Sequence, residues 1–175
     1  MICHGYKGGM GTASRVADGY VVGVLVQANH GGQHRLRVNG TPIPSNTVLQ
    51  GEEGRGSSII GVVATDAPLL PHQCDRVAQR AGLGVARMGG LGENSSGDLF
   101  FALATGNRDL GETESLLGLA MLPNERIDRL FEAVVDATEE AILNALLAAE
   151  TMTGRNGHTV HALDAGWLRE VLTRA

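Results

Sequence analysis

The sequence of 175 residues is poor in aromatic residues, which make up 3% of it, and it contains only two cysteines. Two cysteines are too few for a disulfide framework, and Cys3 and Cys74 form no C-x-x-C pair. We therefore expect both to be buried or partly buried free thiols. Because aromatic residues are rare and glycine reaches 25 residues, we also expect an aliphatic core with many tight turns.

Long hydrophobic runs and clusters of basic charge are also missing. No apolar stretch approaches the ~20 residues that a membrane-spanning helix needs, and the start, MICHGYKGGMGT, lacks the apolar block of a signal peptide. The net charge is −5 and the basic residues are scattered, which argues against a nucleic-acid partner. We expect a cytoplasmic protein without membrane or nucleic-acid partners, with the reservation that a signal could precede Met1 in a longer natural chain.

The apolar pattern predicts a single α/β domain in which helices cover a sheet. Three short apolar runs read as strands, and the run over 58–65 lacks alternation, which predicts a strand buried on both faces. A helix should start near Pro71 and end at Gly82, a second should run from Asn124 to a stop at Gly154, and a third should carry Trp167. The strand ranges are 19–29, 58–65 and 98–107, and a long polar loop spans 30–57.

Several common catalytic sites are excluded by their spacing. Lys7 precedes all but the first glycine of GYKGGMGTAS, whereas a P-loop lysine follows the glycines, and no G-x-S-x-G motif is present. His158 and His161 are three residues apart but lack the carboxylate of a zinc-protease motif, so structural or supporting roles fit them better than metal ligation.

The boundary between the polar loop and the second strand carries two serines, Ser57 and Ser58. A serine hydroxyl needs an adjacent base to become a nucleophile, and an α-amine with an ordinary pKa near ~8 can serve as that base. Only an N-terminal serine has a free α-amine, so this mechanism requires chain cleavage before the serine. The residues alone favour the alternative, an ordinary loop-to-strand junction at which the serines cap backbone groups.

Two further polar features could support such a nucleophile. Ser96 and Asp98 are two residues apart at the start of the third strand, so in extended geometry they project to one side and could orient a proton. Asn29 ends the first strand and could donate its amide to an oxyanion. The alternative for all three residues is a set of ordinary polar turns.

The sequence resembles the self-processing N-terminal-serine aminopeptidases, a family that includes the L-aminopeptidase/D-alanine esterase-amidases and the β-aminopeptidases. The resemblance rests on CHGYKGGMGTASR, VGVLVQAN, SIIGVVATDAPLLPHQ, RAGLGVAR, SSGDLFFAL and NALLAAETMTGRNGHTVHAL, and it covers the chain from Cys3 to Leu163. It implies a four-layer αββα sandwich similar to N-terminal-nucleophile hydrolases, assembled as oligomers of αβ pairs.

The resemblance also implies residue roles. The scissile bond would be Ser57–Ser58, because SIIGVVATDAP matches the family from Ser58 onward, and residues 1–57 and 58–175 would then be the end of the α-chain and the β-chain. Ser58 would be the nucleophile, Ser96 and Asp98 its supporting hydroxyl and carboxylate, and Asn29 the oxyanion residue. The substrates would be small peptides, amides or esters, and neither a metal nor an organic cofactor is implied.

Two features depart from the family pattern. Ser57 stands where family precursors usually have glycine or asparagine, and family chains are about twice as long, with the additional residues N-terminal to Met1. The chain is therefore expected to be a partial version of the domain that associates with an N-terminal half. Two other functions remain open: an acyltransferase of related architecture, in which threonine is the commoner nucleophile, and an inactive fragment that acts as a structural subunit.

Overall fold

The computed structural model describes residues 1–45, 58–108, 110–111 and 116–174. Three helices are present in this part of the chain: α1 (Pro71–Arg87), α2 (Asp128–Leu147) and α3 (Ala165–Arg174). The four longer strands are β3 (Met10–Ala17), β4 (Tyr20–Asn29), β7 (Ser58–Thr65) and β8 (Leu99–Ala104). The short strands are β1 (Ile2–Cys3), β2 (Tyr6–Lys7), β5 (Arg37–Val38), β6 (Thr41–Pro42), β9 (Met152–Thr153) and β10 (Thr159–Val160).

The longer strands form one mixed sheet in the order β3-β4-β7-β8. β4 lies antiparallel to both β3 and β7, whereas β7 and β8 are parallel. Helix α1 connects the parallel pair, as a parallel connection requires. Each of the pairs β1–β2, β5–β6 and β9–β10 forms a small antiparallel hairpin.

Helices α1 and α2 cover one face of the sheet. α2 packs on β3 and β4, and α1 packs on β7, β8 and α2. The glycine-rich composition makes this packing close: a Cβ at Gly11 would lie 2.5 Å from the Ala145 nitrogen, and one at Gly84 would lie 2.6 Å from Thr138 Cβ. The core between the layers is aliphatic, as the composition predicts, with fully buried residues that include Val26, Ile59, Val63, Leu130, Val134 and Ile142.

The opposite face of the sheet is uncovered among the described residues. The prediction that the strand over 58–65 is buried on both faces is wrong for this part of the chain, because its burial alternates and Ile60 is 42% exposed. Phe101, on the neighbouring strand, is 61% exposed. The exposed apolar side chains of this face, which we call the outer face, are Met10, Val16, Val21, Leu25, Ile60, Leu99, Phe101 and Leu103.

Two helix ends differ from the predicted ones. α1 continues past Gly82, because packing of the helix outweighs the cost of a helical glycine, about 1 kcal/mol. It ends in a Schellman motif, in which Gly89 has φ +94° and the Gly90 and Gly89 N–H groups donate to Val85 O (3.0 Å) and Ala86 O (2.9 Å). α2 ends at Leu147, well before Gly154, since Met152–Thr153 form β9.

The remaining predicted elements have mixed outcomes. The three predicted strands correspond to β4, β7 and β8, and the C-terminal helix is α3 with Leu168 buried. Strand β3 was not predicted. Of the predicted processing loop 30–57, residues 30–45 include the β5–β6 hairpin, and 46–57 lie outside the described residues. No helix in the described ranges is long and apolar enough to cross a membrane.

Candidate active site

The candidate site lies at the end of the sheet where strand β4 finishes and strand β7 begins. Asn29 and Ser58 are direct partners in the antiparallel register. Both alternate with the buried residues of their strands and therefore lie on the outer face. Because β7 and β8 are parallel, both strands begin at the same end of the sheet. The residues that precede β8, Ser96 and Asp98, therefore lie near Ser58.

Hydrogen bonds connect the serine to the loop before β8. The Ser58 hydroxyl oxygen accepts the Gly97 N–H at 3.0 Å. Asp98 Oδ1 accepts the N–H of Ile59 at 3.0 Å and also the Ser96 hydroxyl. One carboxylate thus holds both the beginning of β7 and the neighbouring hydroxyl, which fixes the position of Ser58 relative to Ser96.

Asn29 is oriented by the first residues of the chain. Its Oδ1 accepts the backbone N–H of Ile2 at 2.9 Å. This bond fixes the orientation of the side-chain amide, because its oxygen must face the Ile2 N–H. The Asn29 NH2 group, which is a hydrogen-bond donor, therefore points away from Ile2. Asn29 therefore has the chemistry to stabilise an oxyanion beside Ser58.

The structure brings together Asn29, Ser58, Ser96 and Asp98, the four residues predicted as catalytic, and all four are half-buried. Ser57, the predicted residue before the cleavage point, lies outside the described residues. His158 and His161 are exposed and, within the described ranges, belong to no cluster of possible metal ligands.

Sequence analysis missed a buried polar cluster behind this site, formed by Cys3, His4 and His30. All three are buried, with exposures of 0%, 0% and 3%. Burial raises the pKa of the Cys3 thiol to about 12. Burial, together with the charge of His4, lowers the pKa of His30 to about 4, and burial also lowers the pKa of His4. At neutral pH both imidazoles are uncharged.

We expect His30 to make the protein less stable in acid. The unfolded chain binds a proton at this imidazole below about pH 6.5, whereas the folded chain does so only near pH 4. Stability contributed by neutral His30 is therefore present above pH 6.5 and is lost as the pH falls to 4, by about 3 kcal/mol. Urea unfolding of wild type and His30→Gln at pH 7 and pH 4 measures this difference. A chelator in the buffer keeps metal ions away from the cysteine and the two histidines.

The comparison must separate His30 from other titrating groups. The charged or titratable groups facing it are Cys3, His4, Asp98 and Glu93, and Arg35 pairs with Glu93. The control His158→Gln removes an exposed imidazole and should keep the wild-type pH dependence. Equal losses of stability in wild type and His30→Gln would contradict the prediction.

Comparison with known proteins gives the same family as the sequence motifs. The model of peptidase family S58 matches residues 1–160. The chain belongs to peptidase family S58. The expectation of a self-processing-aminopeptidase family is thereby confirmed at the level of the family.

The named proteins that this chain resembles include aminopeptidases, and some of them have solved structures. The chain is 44% identical to the β-peptidyl aminopeptidase BapA of Sphingosinicella microcystinivorans, over 99% of this chain and 49% of that protein. A Burkholderia sp. β-aminopeptidase structure matches with a TM-score of 0.85 and 45% identity, over 99% of this chain and 51% of that one.

A third relative defines the fold. The L-aminopeptidase D-Ala-esterase/amidase of Ochrobactrum anthropi, described as a variant of the Ntn-hydrolase fold, matches with a TM-score of 0.85 and 42% identity, over 99% of this chain and 50% of that one. The predicted α/β fold of the N-terminal-nucleophile-hydrolase type is therefore confirmed. The chain spans about half the length of these relatives, and its described part supplies one helix layer and one sheet layer.

Proposed function

We propose that this chain carries the nucleophile of a serine aminopeptidase that releases N-terminal amino acids from small peptides, amides or esters. The observation that supports this most directly is the hydrogen-bonded group at the start of β7, in which Ser58 contacts Gly97 and Asp98 holds Ile59 and Ser96. Membership of peptidase family S58 and the named aminopeptidase relatives point to the same activity.

In the proposed reaction Ser58 acts as an N-terminal residue. Its α-amine accepts the hydroxyl proton while Oγ attacks the carbonyl carbon of the substrate's first residue. The Asn29 amide donates to the resulting oxyanion, and Ser96 and Asp98 keep the hydroxyl group in place. The amine leaving group then takes the proton, and water hydrolyses the acyl-serine ester by the same steps, which regenerates Ser58.

The free α-amine would arise from cleavage of the Ser57–Ser58 bond by the chain itself. Ser58 Oγ would attack the Ser57 carbonyl carbon and convert the amide into an ester, which water then hydrolyses to give a carboxylate on Ser57 and the amine on Ser58. The small side chain of serine at position 57 would not hinder this attack. The fixed start of β7 would hold the attacking hydroxyl still.

We further propose that the outer face is covered by the half of the fold that this chain lacks, supplied by residues N-terminal to it or by a separate polypeptide. Soluble proteins rarely expose apolar patches larger than a few hundred Å². Here exposed apolar side chains occur on all four strands of the sheet, and Ser58 lies on the same face. The covering half would therefore also enclose the substrate. Pairs of this kind could assemble further into oligomers.

We expect the assembled enzyme to require a free amine on its substrate. Aminoacyl p-nitroanilides should be hydrolysed about 100-fold or more faster than their N-acetyl derivatives, because an aminopeptidase site binds the amine directly. Release of p-nitroaniline measures both rates, with L-, D- and β-aminoacyl groups tested in parallel. Equal rates for free and acetylated substrates would contradict an aminopeptidase.

Analysis of the acyl product in the presence of an added amine distinguishes the two other functions. An acyltransferase would convert the substrate into an amide of an added amine instead of the free amino acid. A purely structural subunit would give no turnover even when joined to the half that completes the fold.

A further inference from the structure

The first four residues fold back onto the end of β4. The His4 N–H donates to His30 O at 2.8 Å, and the Ile2 N–H donates to the Asn29 side chain. These bonds place the side chains of Cys3 and His4 beside that of His30, although 25 residues lie between His4 and His30 in the chain. One possible ligand atom from each of the three residues lies within 4.8 Å of the others.

The polar atoms of this cluster are poorly satisfied. His4 Nδ1 lies 3.2 Å from Gly32 O, so Nδ1 carries the hydrogen and Nε2 carries a lone pair. His4 Nε2 and His30 Nε2 are both buried without a hydrogen-bond partner among the described residues. Cys3 Sγ makes a long contact of 4.0 Å with His30 Nδ1, and its other partner is a backbone hydrogen bond from His30. A buried polar group without a partner destabilises the fold, which argues for a ligand that uses these lone pairs.

The surrounding backbone fixes the rings. A Cβ at Gly31 would lie 2.5 Å from His4 Nδ1 and 2.7 Å from Nε2, so the His4 ring packs directly on the glycine backbone. The two imidazoles meet edge to face, with ring centroids 5.2 Å apart and an interplanar angle of 71°. The rings therefore do not stack, and one possible ligand atom of each ring lies within 4.8 Å of the other.

We propose that Cys3, His4 and His30 bind a single transition-metal ion, with Zn²⁺ as the ion to test. A thiolate and two neutral imidazoles without carboxylates are ligands for Zn²⁺ and not for Mg²⁺ or Ca²⁺. For Zn–S and Zn–N bonds of about 2.3 and 2.0 Å to form, the ligand atoms must come closer to one another by about 1 Å. Binding releases the thiol proton to solvent, with no change of oxidation state.

The bound ion would act as a positioning element for the site. The ion would join Cys3 and His4 to His30, the residue that follows Asn29. It would also hold Ile2, the residue before Cys3, whose N–H orients the Asn29 amide. The inference does not depend on the aminopeptidase activity, since it can be tested by metal binding alone.

The test uses the Cys74→Ser chain, in which Cys3 is the sole thiol. We expect calorimetry to show one Zn²⁺ bound per chain. Co²⁺, a spectroscopically visible substitute for Zn²⁺, should give a thiolate-to-metal charge-transfer band that then belongs to Cys3. His4→Gln and His30→Gln should each weaken Zn²⁺ binding by more than about 100-fold, the upper end of what losing an outer partner costs.

His158→Gln is the matched control, because it removes an exposed histidine and should leave Zn²⁺ binding unchanged. The proposal is overturned if Cys74→Ser gives no charge-transfer band with Co²⁺. It is also overturned if a folded His4→Gln or His30→Gln chain binds Zn²⁺ as tightly as the control. The Cys74→Ser measurement decides the question even if the buried-histidine variants fail to fold.

Discussion

Replacing Ser58 with alanine is expected to leave the chain whole and to lower hydrolysis by about 10⁴-fold or more. The variant lacks the oxygen that attacks both the Ser57 carbonyl and the substrate, so cleavage and turnover should be lost together. Intact mass spectrometry should show residues 1–57 and 58–175 as separate chains in wild type and one chain of 175 residues in the variant. Initial rates on an aminoacyl p-nitroanilide measure the second effect.

Ser14→Ala is the matched control for this experiment. Ser14 is an exposed serine in the same sheet, on β3, and it lies away from the candidate site because it pairs with Gly23. This variant should be cleaved and should turn over substrate as wild type does. Retention of cleavage or of wild-type turnover by Ser58→Ala would remove Ser58 from the mechanism.

Asp98→Asn is expected to reduce kcat/KM by about 10²–10⁴-fold, the range that positioned proton-transfer groups contribute. The asparagine oxygen can still accept the Ile59 N–H, so the beginning of β7 should keep its position. What the variant loses is the negative charge that accepts the Ser96 hydroxyl. Steady-state kinetics and a urea titration of the same preparation separate the loss of activity from any change in stability.

Asp66→Asn is the control, because the Asp66 carboxylate, like that of Asp98, accepts a backbone N–H from a neighbouring strand. Asp66 Oδ1 accepts the backbone N–H of Val21 at 2.7 Å, and Asp66 directly follows the last residue of β7. Each variant weakens one carboxylate-to-backbone bond, so the free energies of unfolding should fall by a similar amount, about 1 kcal/mol. If the two variants also have similar kcat/KM values, Asp98 has no special role in the reaction.

The strands that were predicted correctly are those with an apolar signal. SIIGVVAT predicts β7 with its observed limits, because a short apolar run rich in β-branched residues and flanked by turn signals favours a strand over a helix. The same run misled the prediction of burial, because its outer residues are exposed among the described residues. Burial cannot be read from the run alone, because it depends on what packs against each face of the sheet.

Strand β3 was missed although a signal was present. Asp18-Gly19 lies between MGTASRVA and YVVGVLVQAN, and both turn residues have positive φ, 52° and 83°. Such a pair is typical of a two-residue hairpin turn. The polar residues of β3 concealed its alternation, so the turn was the stronger evidence for the strand.

The end of α1 shows why one glycine is a weak stop signal. Gly82 and Gly84 are both inside the helix, and Gly84 is needed because α2 approaches it closely. Gly89 ends the helix because it adopts the left-handed conformation of a Schellman motif. Tertiary packing decides between these roles, and packing cannot be read from the local sequence.

The four candidate catalytic residues were predictable mainly through the family motifs, since each of them alone fits an ordinary turn. Their meeting follows from strand order: Asn29 ends β4, Ser58 begins β7, and Asp98 precedes β8. The cluster of Cys3, His4 and His30 could not be predicted in this way. Cys3 and His4 are adjacent but His30 lies far from them in the sequence, and the three residues match no metal-binding spacing.

The central claim is that the residue whose oxygen attacks also carries a free amine released by chain cleavage. Terminal sequencing of active enzyme tests this claim most directly. The account predicts a second amino terminus that begins Ser-Ile-Ile, in amounts that rise with activity as the precursor matures. Fully active material without that terminus would contradict it.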